Sequence, residues 1–373
     1  MKHSQINMLE HSRAKIKLLS LYMDRYLNIL NQSKYTSDIF LYDMFCGEGV
    51  YENGGKGSPI IFLKKRKEIY YQSKGRKKTT SKFYCHFNDI DEKKVEKLRK
   101  VIDENNLHYS EIGSLKITSK DYRQMLGEVT SELEELKREK AFIFIDPYGY
   151  KDIKAEDIKN LLESDNAEVL LFLPTQFMFR FEQKSTPESL KQFISELVPE
   201  QEWPESQTGL DFIENLLDKF REYLGENYFA DSFIIARDTN QYFCLLFFTS
   251  HIRGFEKMLE AKWQIDEEDG RGWKYGMENN LFSEQEKSPK TDKLKTMLID
   301  FLQEQRTNSE LYQFGLHLGY RPTHVTSILR EFESQGNLEK TLKDGSKPRK
   351  NAFYVNYKNH KKAPTKIKIK LRG

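Results

Sequence analysis

The sequence predicts an α/β fold, a Rossmann-like and mostly parallel sheet with an antiparallel edge hairpin, followed by a smaller second domain. Three observations support this. Five apolar, strand-like segments alternate with helix-like segments through the first half of the 373 residues. Two apolar segments, 231–237 and 241–249, then follow each other across a turn-prone Asp-Thr-Asn, which indicates a hairpin. A polar stretch at 283–291 without periodicity indicates a linker to a compact helical region.

The individual elements follow from apolar periodicity. Apolar residues at helical spacing between His11 and Leu30 predict a long first helix that packs on the following domain. Ser58-Pro59 provides a cap residue and a proline at the first helical position. The predicted parallel strands are 39–45, 83–88, 115–118, 141–145 and 169–174.

Composition limits the possible partners and compartment. No apolar run approaches the ~20 residues of a membrane span, and the polar N-terminus lacks a signal-peptide pattern, so we expect a cytoplasmic protein. The three cysteines are far apart without metal-ligand spacing, which predicts packed thiols and no metal site. The net charge of +3 conceals +10 in the last 36 residues and −7 elsewhere. A strongly basic end favours a polyanionic partner, with nucleic acid the first candidate.

The loop after the first strand, Asp43-Met44-Phe45-Cys46-Gly47-Glu48-Gly49, has the composition of a cofactor-binding loop. Gly47 and Gly49 allow the backbone to approach a ligand closely, and Asp43 is placed to bind an amino group. A dinucleotide fingerprint would need a third glycine where Glu52 stands, and a helix beginning beside the glycines. The helix begins only near Ser58, which suits S-adenosylmethionine, a cofactor without phosphate.

Acidic residues follow the next two strands and add to this interpretation. Asp89 is the candidate ligand of the ribose, and Asp121-Tyr122 is the candidate for the adenine amino group and ring. Phe45, within the first loop, completes the predicted cofactor-binding set. Each acid alone could be a solvated loop residue, but three at successive strand ends favour a cofactor site.

Asp146-Pro147-Tyr148-Gly149 follows the fourth strand and is the candidate catalytic motif. The amine of a nucleobase is a poor nucleophile because its lone pair is delocalised into the ring. Hydrogen-bond acceptors such as the Asp146 carboxylate and the Pro147 carbonyl would favour its nucleophilic form, and Tyr148 could stack on the base. The alternative is that Asp146-Pro147 only turns the chain. Amino-methyltransferases usually have Asp-Pro-Pro-aromatic, whereas the order here resembles tRNA guanine-N2 dimethyltransferases without their following Thr/Ser-Pro.

Several motifs together resemble the three-Cys-motif partner family over roughly Met1 to Leu281. They are His11–Lys15, Asp43–Gly49, Gly57–Pro59, Ile145–Gly149 and Arg253–Met258 with Trp263. The resemblance implies a class I methyltransferase-like fold, a bacterial or phage-associated setting, and a neighbour protein bearing the three-Cys motif. It supports Asp43, Gly47 and Gly49 as cofactor residues and 146–149 as the reaction edge. Glu48 departs from the family, which usually has proline between the glycines.

The C-terminal region predicts a winged helix with a basic surface. Three helices are followed by a predicted hairpin of 338–342 and 352–357, with 343–350 as the wing. The predicted nucleic-acid contacts lie on the third helix and the wing: Thr323, His324, Ser327, Arg330, Lys347, Arg349 and Lys350. Winged helices also serve as dimerisation modules, which is the alternative.

The predicted organisation is a cofactor-binding domain at 1–282, a linker at 283–291, a winged helix at 292–357 and a basic tail at 358–373. The leading hypothesis is an S-adenosylmethionine-dependent methyltransferase acting on a base of DNA or RNA. The alternative is a non-catalytic, nucleic-acid-binding partner or regulator in a bacterial defence or modification cassette. Methylation of a partner protein is a third reading.

Overall fold

The structure is a computed structural model that describes residues 7–75, 81–147, 153–173, 175, 188–197, 204–238, 241–275 and 288–372. The chain divides into two compact units, the first of Met1–Lys257 with Arg271–Phe282 and the second of Met258–Gly270 with Ser283–Gly373. From the N-terminus to β8 the elements are α1 Glu10–Asn31, β1 Ile39–Asp43, α2 Ser58–Gly75, β2 Phe83–Asn88, α3 Glu92–Glu104, β3 Leu115–Thr118, α4 Tyr122–Glu135, β4 Lys140–Ile145, α5 Ala155–Leu162, β5 Ala167–Leu173, α6 Glu188–Leu197, α7 Gly209–Leu224, β6 Phe229–Asp238, β7 Gln241–Thr249, α8 Ile252–Ile265 and β8 Gly272–Lys274.

The first unit is built on an eight-stranded sheet of order β3-β2-β1-β4-β5-β7-β6-β8. Every pairing is parallel except the two made by β7, which runs antiparallel to both β5 and β6. This confirms the predicted Rossmann-like methyltransferase fold with its antiparallel hairpin. The short strand β8, parallel to β6, was not predicted from the sequence.

Burial explains why these segments form the elements they do. All seven residues of β5 are buried, as expected for a central strand covered on both faces. The helix α1 buries one face, which includes Leu18, Tyr22 and Leu27. Asp91 caps α3 by accepting the Lys93 N–H at 3.0 Å.

The carboxyl ends of the parallel strands define one edge of the sheet. Strands β1 and β4 are paired in register, with Asp43 opposite Phe144, so the loops after both strands emerge side by side. Strand β2 pairs β1 on its other side, with Asp43 opposite Phe87. Ligands bind at this edge in such sheets, where the strand order reverses.

The second unit contains a three-stranded antiparallel sheet of order β10-β11-β9 together with four helices described from residue 292 onwards. In chain order its elements are α9 Asp292–Phe301, β9 Arg306–Thr307, α10 Asn308–His317, α11 Pro322–Ser334, β10 Leu338–Leu342, α12 Tyr357–Lys362 and β11 Ile367–Leu371. The core of this unit includes Leu298, Leu311 and Leu329, each fully buried.

The structure corrects the predicted end of this unit. The strand that pairs with β10 is β11, so the predicted second strand at 352–357 is wrong. Residues 358–372 are not a separate basic tail, because β11 is the central strand of the sheet. Ile367 and Ile369 are fully buried while Lys368 and Lys370 are exposed, and this alternation of period two explains the strand.

Other predictions concern cysteines and membranes. Cys46, Cys85 and Cys244 are buried and unpaired with one another, as the sequence predicted. The helices of the described residues all lack an apolar stretch of the length that a membrane span requires. The greater part of the predicted linker, 283–287, lies outside the described residues.

Candidate active site

Asp43 ends β1 and is completely buried. Its Oδ1 accepts the Phe45 N–H at 3.3 Å, whereas no described residue hydrogen-bonds Oδ2, although that atom is also buried. Burial raises the pKa of Asp43 to about 7; a Ser58 hydrogen bond opposes the shift, and the charge of Asp146 adds to it. A buried carboxylate oxygen without a donor is costly, so this atom is suited to receive an N–H of a cationic ligand.

The loop after Asp43 has the backbone conformation that its glycines permit. Gly47 and Gly49 have φ of +60° and +77°, a region that strains other residues. Gly49 is also closely packed, because an added Cβ would lie 2.5 Å from the Leu98 side chain. Glu48, between them, forms an ion pair at 2.9 Å with Lys97 of α3, so the Glu48 carboxylate is directed toward α3.

Asp89 follows β2 and joins this strand to the β1 loop. Its Oδ2 accepts the Gly47 N–H at 3.1 Å and its Oδ1 accepts the Asp91 N–H at 3.0 Å. The carboxylate is 1% exposed, so it orders the loop in this structure, and a role toward ribose stays a prediction.

Ile90 was not predicted from the sequence as a site residue. It directly follows Asp89, and its side chain is 67% exposed. An apolar residue between two acids at a strand end was the available signal. Its position beside the loop makes it a candidate contact for a flat apolar ring.

The third predicted cofactor segment, Asp121-Tyr122, lies at the start of α4. Asp121 is exposed and caps α4 through the Arg123 N–H at 2.8 Å. Tyr122 is 4% exposed and stacks on Phe45 at a ring separation of 5.3 Å. The Tyr122 ring therefore supports Phe45 from below, and Phe45, which is partly exposed, is the aromatic face nearer the surface.

Asp146, after β4, has an unpredicted partner. Its Oδ2 forms an ion pair with Nζ of Lys15 from α1, and the two side chains are 20% and 8% exposed. Lys15 also lies over the Phe172 ring, 4.3 Å from its centroid. Pro147 is buried, and Tyr148 and Gly149 lie outside the described residues. The structure thus brings a helix 131 positions earlier in the chain onto the predicted catalytic carboxylate.

The start of α1 forms one wall of this site. His11 stacks on Phe243 with ring centroids 5.0 Å apart. Burial lowers the pKa of His11 to about 4, and the positive charges of Lys15 and Arg237 contribute. Burial raises the pKa of Tyr51, while the charge of Lys15 and a hydrogen bond from Ser12 oppose the shift. The helix α1 therefore contributes side chains to the site, beyond its predicted packing role.

The predicted nucleic-acid contacts in the second unit divide into two groups. Thr323, Ser327 and Arg330 are exposed on α11 at helical spacing, and Lys347, Arg349 and Lys350 are exposed in the segment after β10.

His324 is wrong as a surface contact, because it is 5% exposed. Its ring packs edge-on against Trp263 at 4.3 Å, and its Nε2 contacts the Arg321 guanidinium at 2.8 Å. Burial lowers the pKa of His324 to about 4, and the charge of Arg321 adds to this effect. His324 is a core residue of the second unit.

Comparison with known proteins adds similarity at the level of structure only. No protein-family model matches the sequence, and no curated protein matches it significantly. An O-methyltransferase from Bacillus cereus in complex with SAH is 11% identical, with 66% of this chain and 91% of that chain covered at a TM-score of 0.34.

Two further solved structures are similar in the same range. A putative rRNA-methylase from Clostridium thermocellum is 10% identical over 61% of this chain and 94% of that chain, with a TM-score of 0.30. The bifunctional kinase-methyltransferase WbdD is 13% identical over 64% of this chain, with a TM-score of 0.33, and the match spans only 39% of its length. The fold assignment rests on the strand order and pairing of the chain itself.

Proposed function

We propose that the chain is an S-adenosylmethionine-dependent methyltransferase that modifies an exocyclic amine of a base in nucleic acid. The observation that carries the proposal is Asp43, a fully buried carboxylate at the carboxyl end of β1 whose Oδ2 has no donor among the described residues. It is followed by the loop in which Gly47 and Gly49 adopt positive φ, and it lies in a mostly parallel sheet with an antiparallel hairpin.

The residues present fit this cofactor. Asp43 would hold the cationic amino group of the methionine moiety, because a buried anion gains most from a charged donor. The turn at Gly47 and Gly49 would let the chain approach closely, with Asp89 toward the ribose. Ile90 and Phe45 would contact the adenine, and Asp121 would reach its amino group. When bound, the cofactor supplies an activated methyl group on its sulfonium.

Asp146 and Pro147 would bind the methyl acceptor. The two N–H groups of a base amine need two acceptors, and the Asp146 carboxylate and the Pro147 carbonyl would provide them. Accepting these hydrogen bonds draws the nitrogen lone pair out of conjugation, so that the nitrogen can attack a methyl group. Tyr148 would stack on the base once the base is flipped out of the nucleic-acid duplex, a contact worth about 1–3 kcal/mol.

The second unit supports nucleic acid as the substrate class. From α9 to β11 its element order is helix-strand-helix-helix-strand-helix-strand, with a basic segment after β10, and this order supports a winged-helix domain with one additional short helix as part of the proposal. The exposed row on α11 would contact phosphates and base edges, and Lys347, Arg349 and Lys350 would contact the backbone. Membership of the three-Cys-motif partner family, a three-Cys protein as partner, and a bacterial defence setting are parts of the same proposal.

The second candidate function is a nucleic-acid-binding regulator that binds the cofactor without transferring its methyl group. The ion pair between Lys15 and Asp146 favours this candidate, because the carboxylate needed for catalysis is engaged within the chain.

Transfer of tritiated methyl groups separates the two functions. The full chain is incubated with labelled S-adenosylmethionine and total DNA, tRNA or synthetic oligonucleotides. We expect label in one nucleic acid, at least a hundred-fold less label with Asp146→Asn, and wild-type label with the matched loop variant Glu48→Gln. Absence of label in every nucleic acid, with cofactor and DNA binding intact, would establish the regulator instead.

A further inference from the structure

The contact between Lys15 and Asp146 places an ammonium group in the acceptor part of the site. Lys15 is 6% exposed, which is rare for a lysine, since burial of an ammonium is costly unless it is paired. Its stabilising partners are the Asp146 carboxylate and the face of Phe172. Neither partner belongs to the cofactor half of the site around Asp43.

The pair leaves part of Asp146 available. Lys15 contacts Oδ2, and within the described part of the chain Oδ1 receives no hydrogen bond. A carboxylate has about four lone-pair positions on its two oxygens, so a second donor can bind Oδ1 while Lys15 remains in place. The net charge of the pair is zero, and Arg237 adds positive charge around the adjacent His11.

We propose that Lys15 determines acceptor specificity: its ammonium neutralises Asp146, so the acceptor subsite takes a neutral amine and rejects a cationic one. This inference rests on the proposed function. The amine of a nucleobase is neutral at pH 7, whereas the side chains of lysine and arginine and most aliphatic amines are cations. Lys15 therefore selects a base amine against a protein or polyamine acceptor, by repulsion of the wrong substrate.

The position of Lys15 is set by the packing of α1. One face of the helix carries His11, Ser12 and Lys15. These side chains contact Phe243, Tyr51 and Asp146 respectively. The face is fixed by the buried apolar residues that follow in the same helix. The backbone position of Lys15 is consequently fixed by a packed helix. A lysine on a loop would have more conformational freedom.

Sinefungin tests the inference without any methyl transfer. This analogue carries an amine, cationic at neutral pH, where S-adenosylmethionine carries its methyl group, and S-adenosylhomocysteine carries nothing there. The ratio of the two dissociation constants therefore reports the charge of the acceptor subsite. It is measured by calorimetry on the full chain as wild type, Lys15→Met, Lys15→Arg and Asp146→Asn.

We expect Lys15→Met to improve sinefungin binding relative to S-adenosylhomocysteine by about ten-fold or more, because Asp146 is then an unpaired anion. Lys15→Arg keeps the cation and should leave the ratio unchanged. Asp146→Asn should weaken sinefungin relative to S-adenosylhomocysteine by a similar factor, and it tests the idea even if Lys15→Met does not fold. An unchanged ratio in the neutral variants overturns the inference, whereas failure of wild type to bind either analogue refutes the proposed function itself.

Discussion

Two buried carboxylates at opposite edges of the sheet show how a binding group differs from a structural one. Glu168 lies at the start of β5 and Asp43 at the end of β1, and burial raises the pKa of each to about 7. Glu168 accepts hydrogen bonds from the Tyr22 hydroxyl and from Thr249, the latter at 3.0 Å. Asp43 leaves Oδ2 without a donor from any described residue.

The difference shows that burial and a raised pKa alone do not identify a site. Both groups have them, but the fold supplies side-chain donors to both oxygens of Glu168 and leaves one oxygen of Asp43 unpaired. The unpaired oxygen is also at the carboxyl edge, where loops of several strands meet. We therefore assign Glu168 to stability and Asp43 to ligand binding, and each assignment can be tested.

The largest expected effect is on ligand affinity in Asp43→Asn. The neutral amide cannot neutralise the cationic amino group, so S-adenosylhomocysteine should bind about ten- to a hundred-fold more weakly, the range of a buried charge-assisted hydrogen bond. Removal of a buried, partly unpaired charge should leave the free energy of unfolding equal or higher. Calorimetry and urea unfolding measure the two quantities, with Glu48→Gln as the control from the same loop. Equal affinity in Asp43→Asn would contradict the assignment.

Tyr22→Phe tests the other carboxylate. Loss of the hydroxyl removes one donor from Glu168, which should lower the free energy of unfolding by about 1–3 kcal/mol. Affinity for S-adenosylhomocysteine should not change, since Tyr22 contacts the opposite edge of the sheet. A loss of affinity without loss of stability would reverse our assignment.

Glu168 should also make stability depend on pH. Its pKa in the folded chain, about 7, is above its ordinary value of 4.5, so folding favours the protonated form. Stability should therefore fall as pH rises from 4.5 to 7, by at most about 1.4 kcal/mol per pH unit. Urea unfolding at several pH values in this window gives the free energy of unfolding as a function of pH. This free energy should change less with pH in Glu168→Gln than in wild type, and an equal change in both would refute the explanation.

Asp43 should make ligand affinity depend on pH in the opposite direction. Below its pKa of about 7 the carboxyl is protonated and cannot pair with an ammonium group. Affinity for S-adenosylhomocysteine should rise toward pH 7 and fall again above about 8, where the ligand amino group loses its proton. Calorimetry from pH 5.5 to 9 measures this profile, and a profile independent of pH would exclude Asp43 as the ligand of the amino group.

The smallest effects are expected in the second unit. There His324 is assigned to stability, as Glu168 is, and Arg330 to ligand binding, as Asp43 is. Arg330→Gln should reduce the slope of log affinity for DNA against log salt by about one, because one phosphate contact is lost. Lys293→Gln, an exposed charge on α9, is the matched control. His324→Ala should lower stability through lost packing on Trp263. Equal slopes for Arg330→Gln and wild type would remove Arg330 from the interface.

Local sequence patterns were sufficient to predict the fold and the position of the 43–49 loop after β1. Alternating apolar strands and helices predicted the sheet, and Asp43, Gly47 and Asp89 are neighbours because parallel strands end at one edge. Asp89 follows β2 directly. Its contact with Gly47 follows from the adjacent, parallel arrangement of β1 and β2.

Other features depended on contacts between distant segments, which no local pattern records. Lys15 meets Asp146 across 131 positions, and helical periodicity does not say which strand end a helix covers. His324 is buried because Trp263 packs on it, although its own helix position did not indicate this. In contrast, the alternation of isoleucine and lysine at 366–371 was a visible strand signal that the charge of the segment obscured.

In the proposed function, the edge formed by Asp43, Gly47 and Gly49 binds S-adenosylmethionine and not a dinucleotide. Calorimetric titration of the full wild-type chain with S-adenosylhomocysteine, and separately with NAD, tests it directly. We predict one-to-one binding of S-adenosylhomocysteine with micromolar or tighter affinity and no heat with NAD. Binding of NAD, or the absence of binding by S-adenosylhomocysteine, would show that this edge is not a site for S-adenosylmethionine.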